Sequence, residues 1–274
     1  MTSPETPTPV PTPPRPERPF ERYVAIGDSS TEGIDDPDGA GGFRGWADRL
    51  AEALAATQRG LLYANLAVRG RRTREIREQQ LAPALAMRPD LVTLFTGTND
   101  VVARDFDAAG VAADVEAMQR ALVERGATVL TFTLPDLAAV MPMARRIAPR
   151  LRDLNARLRA VAASTGALLV DFEAFPVAGD PRLWSDDRLH ANAAGHERIA
   201  AALAHALELA GSDDAWQQPL PPLAAASFPA RWQRELAWTC RHFLPWLWRH
   251  ARGRSSGDGR LPKRPELRPL TPKR

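Results

Sequence analysis

The chain has one cysteine in 274 residues, Cys240, so neither a disulfide framework nor a cysteine-built zinc site is open to it. No apolar run approaches the ~18 residues a bilayer-spanning helix needs. Residues 1–20 contain no apolar stretch of the signal-peptide kind, and Asn-x-Ser/Thr is absent, so a cytoplasmic protein is expected. There is no P-loop. The glycine-rich run at 38–42 neither follows a strand pattern nor fits a dinucleotide fingerprint, so it reads as a loop near the site described below.

Hydrophobic residues make up 44% and charged residues 25%, as in an ordinary globular protein. The net charge of +3 hides an asymmetry. Residues 249–274 hold nine Lys or Arg against two acids, a charge of +7, which leaves the rest at −4. A mildly acidic body is a poor match for nucleic acid, and no nucleic-acid partner is expected. Eight of the 25 prolines fall in residues 2–19, a segment unable to bury a core. The chain thus divides into a disordered proline-rich extension (1–19), a folded body (20–211), a tryptophan-rich helical segment (212–252) and a disordered basic tail (253–274).

Within the body, short runs of aliphatic and β-branched residues at 23–26, 61–66, 91–96, 128–133 and 168–171 read as buried strands. Segments with apolar residues three and four apart, at 46–56, 73–87, 108–124, 144–163 and 193–210, read as helices. Strict alternation of the two predicts an α/β fold, a three-layer α/β/α sandwich around a central five-stranded parallel sheet. Functional residues then belong beyond the carboxyl ends of the strands. Those ends carry Gly27-Asp28-Ser29-Ser30, Asn65 to Gly70, Gly97-Thr98-Asn99-Asp100, Pro135-Asp136 and Asp171.

Ser29 sits where a strand turns into a helix, with its own N–H beside its hydroxyl. Of the five histidines, His196 shares an apolar face with Ile199 and Leu203, which makes it a core residue or one packed behind the site. His205 falls on a polar face, and His242 and His250 lie in the tryptophan-rich segment. His190 remains, in a loop before the last helix. Asp187, three residues earlier, is within reach of its Nδ1–H, with Asp186 as competitor. Taken singly, each motif has a plainer reading: a turn at Gly-Asp-Ser, a helix cap at Asp-x-x-His, a turn glycine at Gly70, a capping residue at Asn99. Their joint placement at successive strand ends favours chemistry.

These blocks, in this order, resemble the SGNH hydrolase superfamily of GDSL-type esterases and lipases, across residues 23 to about 210. The basic, tryptophan-rich end resembles intracellular actinobacterial members. Ser30 stands where the family name has leucine. The resemblance implies a flavodoxin-like fold and hydrolysis of carboxylic esters through an acyl-enzyme, without cofactor or metal. Ser29, His190 and Asp187 would form the triad. Ser29 N–H, Gly70 N–H and the Asn99 amide would hold the oxyanion. Asp28, Arg69, Asp136 and Met141 are candidates for substrate binding, the arginine for an anionic group and the last two for the acyl side. The partner implied is a small-molecule or lipid ester. The alternatives are an acyltransferase using the same site and a non-catalytic flavodoxin-like binding module.

Two features lie beyond that core. Residues 253–257 spell G-x-S-x-G, but no strand pattern precedes them, so they are not read as a nucleophile elbow. On a helical wheel Trp232, Leu236, Cys240, Phe243 and Leu247 share a face expected to pack on the body, with Pro245 ending or kinking the helix. The other reading of this segment is weak contact with an anionic membrane, aided by the basic tail.

Overall fold

The computed structural model describes residues 19–136, 138, 140–222, 228–245 and 256–270. The proline-rich extension up to residue 18, Leu247 of the apolar face, His250 with the tryptophans at 246 and 248, and residues 253–255 of the G-x-S-x-G sequence lie outside them.

The five expected strands form: β1 (Arg22–Gly27), β2 (Leu62–Asn65), β3 (Leu91–Phe95), β4 (Thr128–Phe132) and β5 (Leu168–Val170). The helices are α1 (Ser29–Glu32), α2 (Gly45–Thr57), α3 (Thr73–Ala86), α4 (Thr98–Val101), α5 (Ala108–Val123), α6 (Ala148–Thr165), α7 (Ala193–Ala206) and α8 (Phe228–Trp238). The helix expected from residue 144 begins at Ala148, after a 3-10 turn at Pro142–Arg146. The last body helix ends at Ala206, short of residue 210. Strand order is β5-β4-β3-β1-β2, all parallel, with Ala25 opposite both Asn65 and Thr93. Helices α2 and α7 pack together, and α5 packs on both α3 and α6, giving helical layers on the two sides of the sheet. Both central strands are almost wholly buried, which is why they read as continuous apolar runs rather than alternating ones. The chain reverses its order of strand addition between β1 and β3, where such sheets open a crevice at their carboxyl ends. Among the described residues no helix is long and apolar enough to cross a membrane.

Two expectations are corrected. The tail is not wholly disordered: Arg264–Pro269 forms a sixth strand, β6, antiparallel to β2 at the sheet edge. Its sequence, Arg-Pro-Glu-Leu-Arg-Pro, has no strand periodicity, and proline is tolerated there because β6 is an edge strand among the described residues. Polar anchors hold it. Lys263 Nζ reaches Asp48 at 3.0 Å and the carbonyl of Arg44 at 2.7 Å, and Arg264 Nε donates to the Tyr63 carbonyl. The second correction concerns α8. Trp232 and Leu236 are 60% and 50% exposed and Cys240 is exposed, whereas Trp238 is only 8% exposed. The helix thus turns the opposite side to the body, because Trp238 and Glu235 find polar partners there. It continues as a π-helix over Thr239–Phe243 before Pro245.

Candidate functional site

Gly27 ends β1 in a space no side chain fits. A Cβ there would lie 2.2 Å from Thr31 Oγ1 and 2.6 Å from the Phe95 carbonyl oxygen. Its N–H donates to Gln80 Oε1 at 2.8 Å, and its carbonyl accepts from Gln80 Nε2 at 2.9 Å. Asp28 follows as N-cap of α1, accepting from Ser30 N–H at 3.1 Å. Ser29 therefore starts a short helix at the end of the buried strand β1.

The partner histidine comes from an irregular loop. Its base is closed by the Trp184–Ala191 bridge and by Ser185 N–H donating to the His190 carbonyl at 2.8 Å. Asp187 Oδ1 accepts from Ser185 Oγ, Leu189 N–H and His190 N–H at 2.7, 2.8 and 3.0 Å. That leaves Oδ2 to accept from His190 Nδ1–H at 2.6 Å. Fixing that nitrogen as the donor makes Nε2 the acceptor, and Ser29 Oγ lies 2.8 Å from it. Asp186, the competitor, is exposed.

The electrostatics follow from these contacts. Burial opposes charge on His190, but the hydrogen bond and charge of Asp187, with smaller contributions from Asp35 and Asp28, raise its pKa above the usual value. Burial likewise opposes charge on Asp187, yet the hydrogen bond and charge of the His190 ring, with the His190 N–H and the Ser185 hydroxyl, hold it well below the carboxylate range. Burial pushes Asp28 up to about 7. His196 behaves as the core residue expected. Its Nδ1 accepts from Trp46 N–H at 3.1 Å, its Nε2–H donates to the Ile34 carbonyl at 2.9 Å, and burial drives its pKa down to about 4.

Asn99 lies in α4 at the end of β3. Its side-chain amide donates to Asp28 Oδ2 at 3.2 Å and to the Arg71 carbonyl at 3.0 Å. Gly70 takes a left-handed φ of 75°, favoured by glycine, at the end of the loop after β2. That loop is tied down by Arg69, whose N–H donates to Glu32 Oε2 at 2.8 Å and whose Nε donates to Glu32 Oε1 at 3.0 Å. The same guanidinium lies 5.3 Å from the Phe43 ring centroid. Arg69 is therefore engaged within the protein, not presented to an anionic group as anticipated.

Asp28, Ser29, Asn99, Asp136, Met141 and His190 line one cleft, and Arg69 and Gly70 do not. Phe95, Phe132, Leu134, Ile147, Phe172 and Trp216 supply much of its apolar wall. Asp136 is exposed at its rim and accepts from Ala138 N–H, closing its own turn. Among the described residues, the group of acids and histidines close enough to hold a metal ion is Asp35, Asp187 and His190, and two of those three are already bonded to each other.

Three contributors escape a reading of the sequence. Gln80 pins Gly27 from the middle of α3. Glu32 anchors Arg69. Asp35 brings a second carboxylate to 4.0 Å from His190 Nδ1, in a left-handed conformation with φ of 68°. Nothing in the sequence distinguishes Asp35 from the adjacent Asp36, which is buried against Arg49 instead.

Comparison with solved structures gives the same architecture at low identity. The enzyme LAE5 from the metagenome of Lake Arreo, described as an α/β hydrolase, is 23% identical with a TM-score of 0.59, over 70% of this chain and 97% of its own. The lipase/acylhydrolase from Enterococcus faecalis is 21% identical with a TM-score of 0.58, over 74% and 100%. The psychrotrophic esterase EstA from Pseudoalteromonas, in a structure inhibited by monoethylphosphonate, is 18% identical with a TM-score of 0.55, over 69% and 97%. No curated protein matches the sequence. The model of the GDSL-like Lipase/Acylhydrolase family matches residues 25–198, from the middle of β1 into α7. That match takes in Ser29, Gly70, Asn99, Asp187 and His190 together, and on it the chain belongs to the GDSL-like lipase/acylhydrolase family of carboxylic ester hydrolases.

Proposed function

We propose that Ser29 is the nucleophile of this hydrolase, with His190 as general base and Asp187 as the group that orients and charges it. The observation that carries the reading is the unbroken chain Asp187 Oδ2–His190 Nδ1 at 2.6 Å and His190 Nε2–Ser29 Oγ at 2.8 Å. Ser29 Oγ attacks the ester carbonyl as its proton passes to His190 Nε2. The imidazolium so formed is stabilised by Asp187 and returns the proton to the departing alkoxide. Water, deprotonated by the same histidine, then releases the acid from the acyl-enzyme.

The oxyanion is assigned to Ser29 N–H and Asn99 Nδ2, with Gly70 N–H, which is set back from the residues lining the cleft, as the third donor the family resemblance implies. Asp28 and the Arg71 carbonyl hold the Asn99 amide plane and take both of its Nδ2 hydrogens, so the amide reaches the oxyanion by giving up the longer bond, to Asp28. That exchange of one acceptor for another leaves the backbone in place, and the bond gained is to charge that develops in the transition state. The apolar wall next to Ser29 suits the acyl part of an ester with a hydrocarbon chain. Inhibition of EstA by monoethylphosphonate concerns a distant relative, and it supports an organophosphorus probe as the test reagent.

A series of p-nitrophenyl esters of increasing acyl length, run beside acetylated sugars and acyl-CoA, tests this reading. It expects turnover that rises with acyl length until the apolar cleft is filled. Preference for acetyl groups on sugars, with no response to chain length, contradicts the assignment of the apolar wall to the acyl chain.

A further inference from the structure

The family match ends at residue 198, yet α8, thirty residues later, touches the loop that carries the base. Trp238 Nε1–H donates to the backbone carbonyl of Asp187 at 3.0 Å. Both carboxylate oxygens of Glu235 accept from Arg188, from Nη1 at 2.7 Å and Nη2 at 2.8 Å. The same guanidinium lies 4.8 Å from the Trp238 ring centroid. Trp238 is buried by this contact, while Trp232 and Leu236 on the same helix stay exposed.

The loop needs such support. The four hydrogen bonds of the Asp187 carboxylate all run to residues 185–190, so they last only while this irregular loop keeps its shape, and none ties it to a separate element. Arg188 has a left-handed backbone, φ of 63°, which a non-glycine residue holds only when its surroundings enforce it. Trp238 and Glu235 grip the two residues at that tip from a separate element.

We propose that α8 is a positioning element of the active site, with Trp238 and Glu235 clamping Asp187–Arg188 so that Asp187 stays in register with His190. The inference rests on the assignment of His190 and Asp187 to catalysis. It places part of the working site outside the region shared with the family. The groups facing His190 are Asp187 on its own loop, Asp35 after α1, Asp28 at the end of β1 and the buried His196 on α7. Of these, Asp187 is the one α8 holds.

The test uses the full chain. Trp238→Phe keeps an apolar ring and removes the N–H. It is expected to lower kcat tenfold or more with KM nearly unchanged, since small misplacements of catalytic groups are costly. The acid limb of the kcat/KM profile is expected to move to lower pH, because a looser Asp187 supports the imidazolium less well. Glu235→Arg sets two guanidinium groups against each other and should lower kcat similarly, and adding Arg188→Glu should recover much of the loss. A merely structural role predicts a lower melting temperature with kcat and the pH limb of the folded variants unmoved, and that result overturns the proposal. Unchanged kcat and pH limb in Trp238→Phe overturn it as well, even if Glu235→Arg fails to fold. Fluorophosphonate labelling of the unmodified protein at Ser29 keeps the two readings apart. Its absence rejects the nucleophile, whereas labelling of Trp238→Phe at the unmodified rate rejects only the clamp.

Discussion

Ser29 and His190 end 2.8 Å apart but reach that point by different routes. Ser29 rides on β1, a strand flanked by neighbours on both sides and buried almost throughout. Its approach is fixed by a glycine that admits no side chain and by Gln80 bonding both polar groups of that glycine. His190 rides on a loop without regular structure, shaped by one carboxylate and gripped by a helix beyond the family core. The nucleophile side is positioned by packing, which costs stability when broken. The base side is positioned by directional polar bonds, whose loss alters geometry before it alters the fold.

The largest test of this contrast removes the reacting groups. Ser29→Ala and His190→Ala are each expected to lower kcat by about 10⁴ or more while melting near the unmodified protein, as shown by esterase assay and thermal scan. A second histidine able to replace His190 would appear as a much smaller loss in that variant. Asn99→Ala is expected to lower kcat by roughly 10²–10³, about 2.7–4 kcal/mol, with little change in KM, since an oxyanion donor acts on charge that develops in the transition state. A rise in KM alone would make Asn99 a ground-state binding residue.

Acid separates the two histidines. His196 has its folded pKa depressed to about 4 from 6.5, so the unfolded chain binds the extra proton between those values. Its contribution to stability is complete above about pH 6.5 and is lost as pH falls toward 4, on the order of 3 kcal/mol in all. Denaturant unfolding across pH 4–7 checks this, and His196→Gln should flatten that dependence. His190, raised above its usual value, must be neutral to act as base, so kcat/KM should fall as pH drops through a pKa above 6.5. Asp35→Asn removes one supporting charge and should move that limb modestly to lower pH, with kcat at high pH nearly preserved. An unmoved limb would show that the second carboxylate is screened from His190.

Much of the site could be read from the sequence because it is written in short blocks at strand ends, where residue type and position carry the chemistry directly. Ser29, Asn99, Asp187 and His190 were accessible in this way, as were the five body strands, each a compact apolar run. What escaped depends on contacts between distant segments. In β6 Leu267 is the one aliphatic residue, and the strand is held by Lys263 and Arg264, which pattern reading assigns to solvent. In α8 the wheel identifies an apolar face but not that Trp238, lying among polar residues, is the one that docks. Arg69 looks available for an anion until Glu32, thirty-seven residues away, is seen to hold it. Asp35 and Asp36 are indistinguishable until the fold turns one toward His190 and the other toward Arg49.

The central claim is that Ser29, activated by His190, is the residue that bonds to the substrate. The most direct measurement is intact mass, with peptide mapping, after incubation with a fluorophosphonate. In that reaction Ser29 Oγ forms a bond to phosphorus, fluoride leaves and the hydroxyl proton passes to His190. The account predicts one adduct per chain, located on Ser29, and none on Ser29→Ala. An adduct on any other serine, or one that persists on Ser29→Ala, would contradict it.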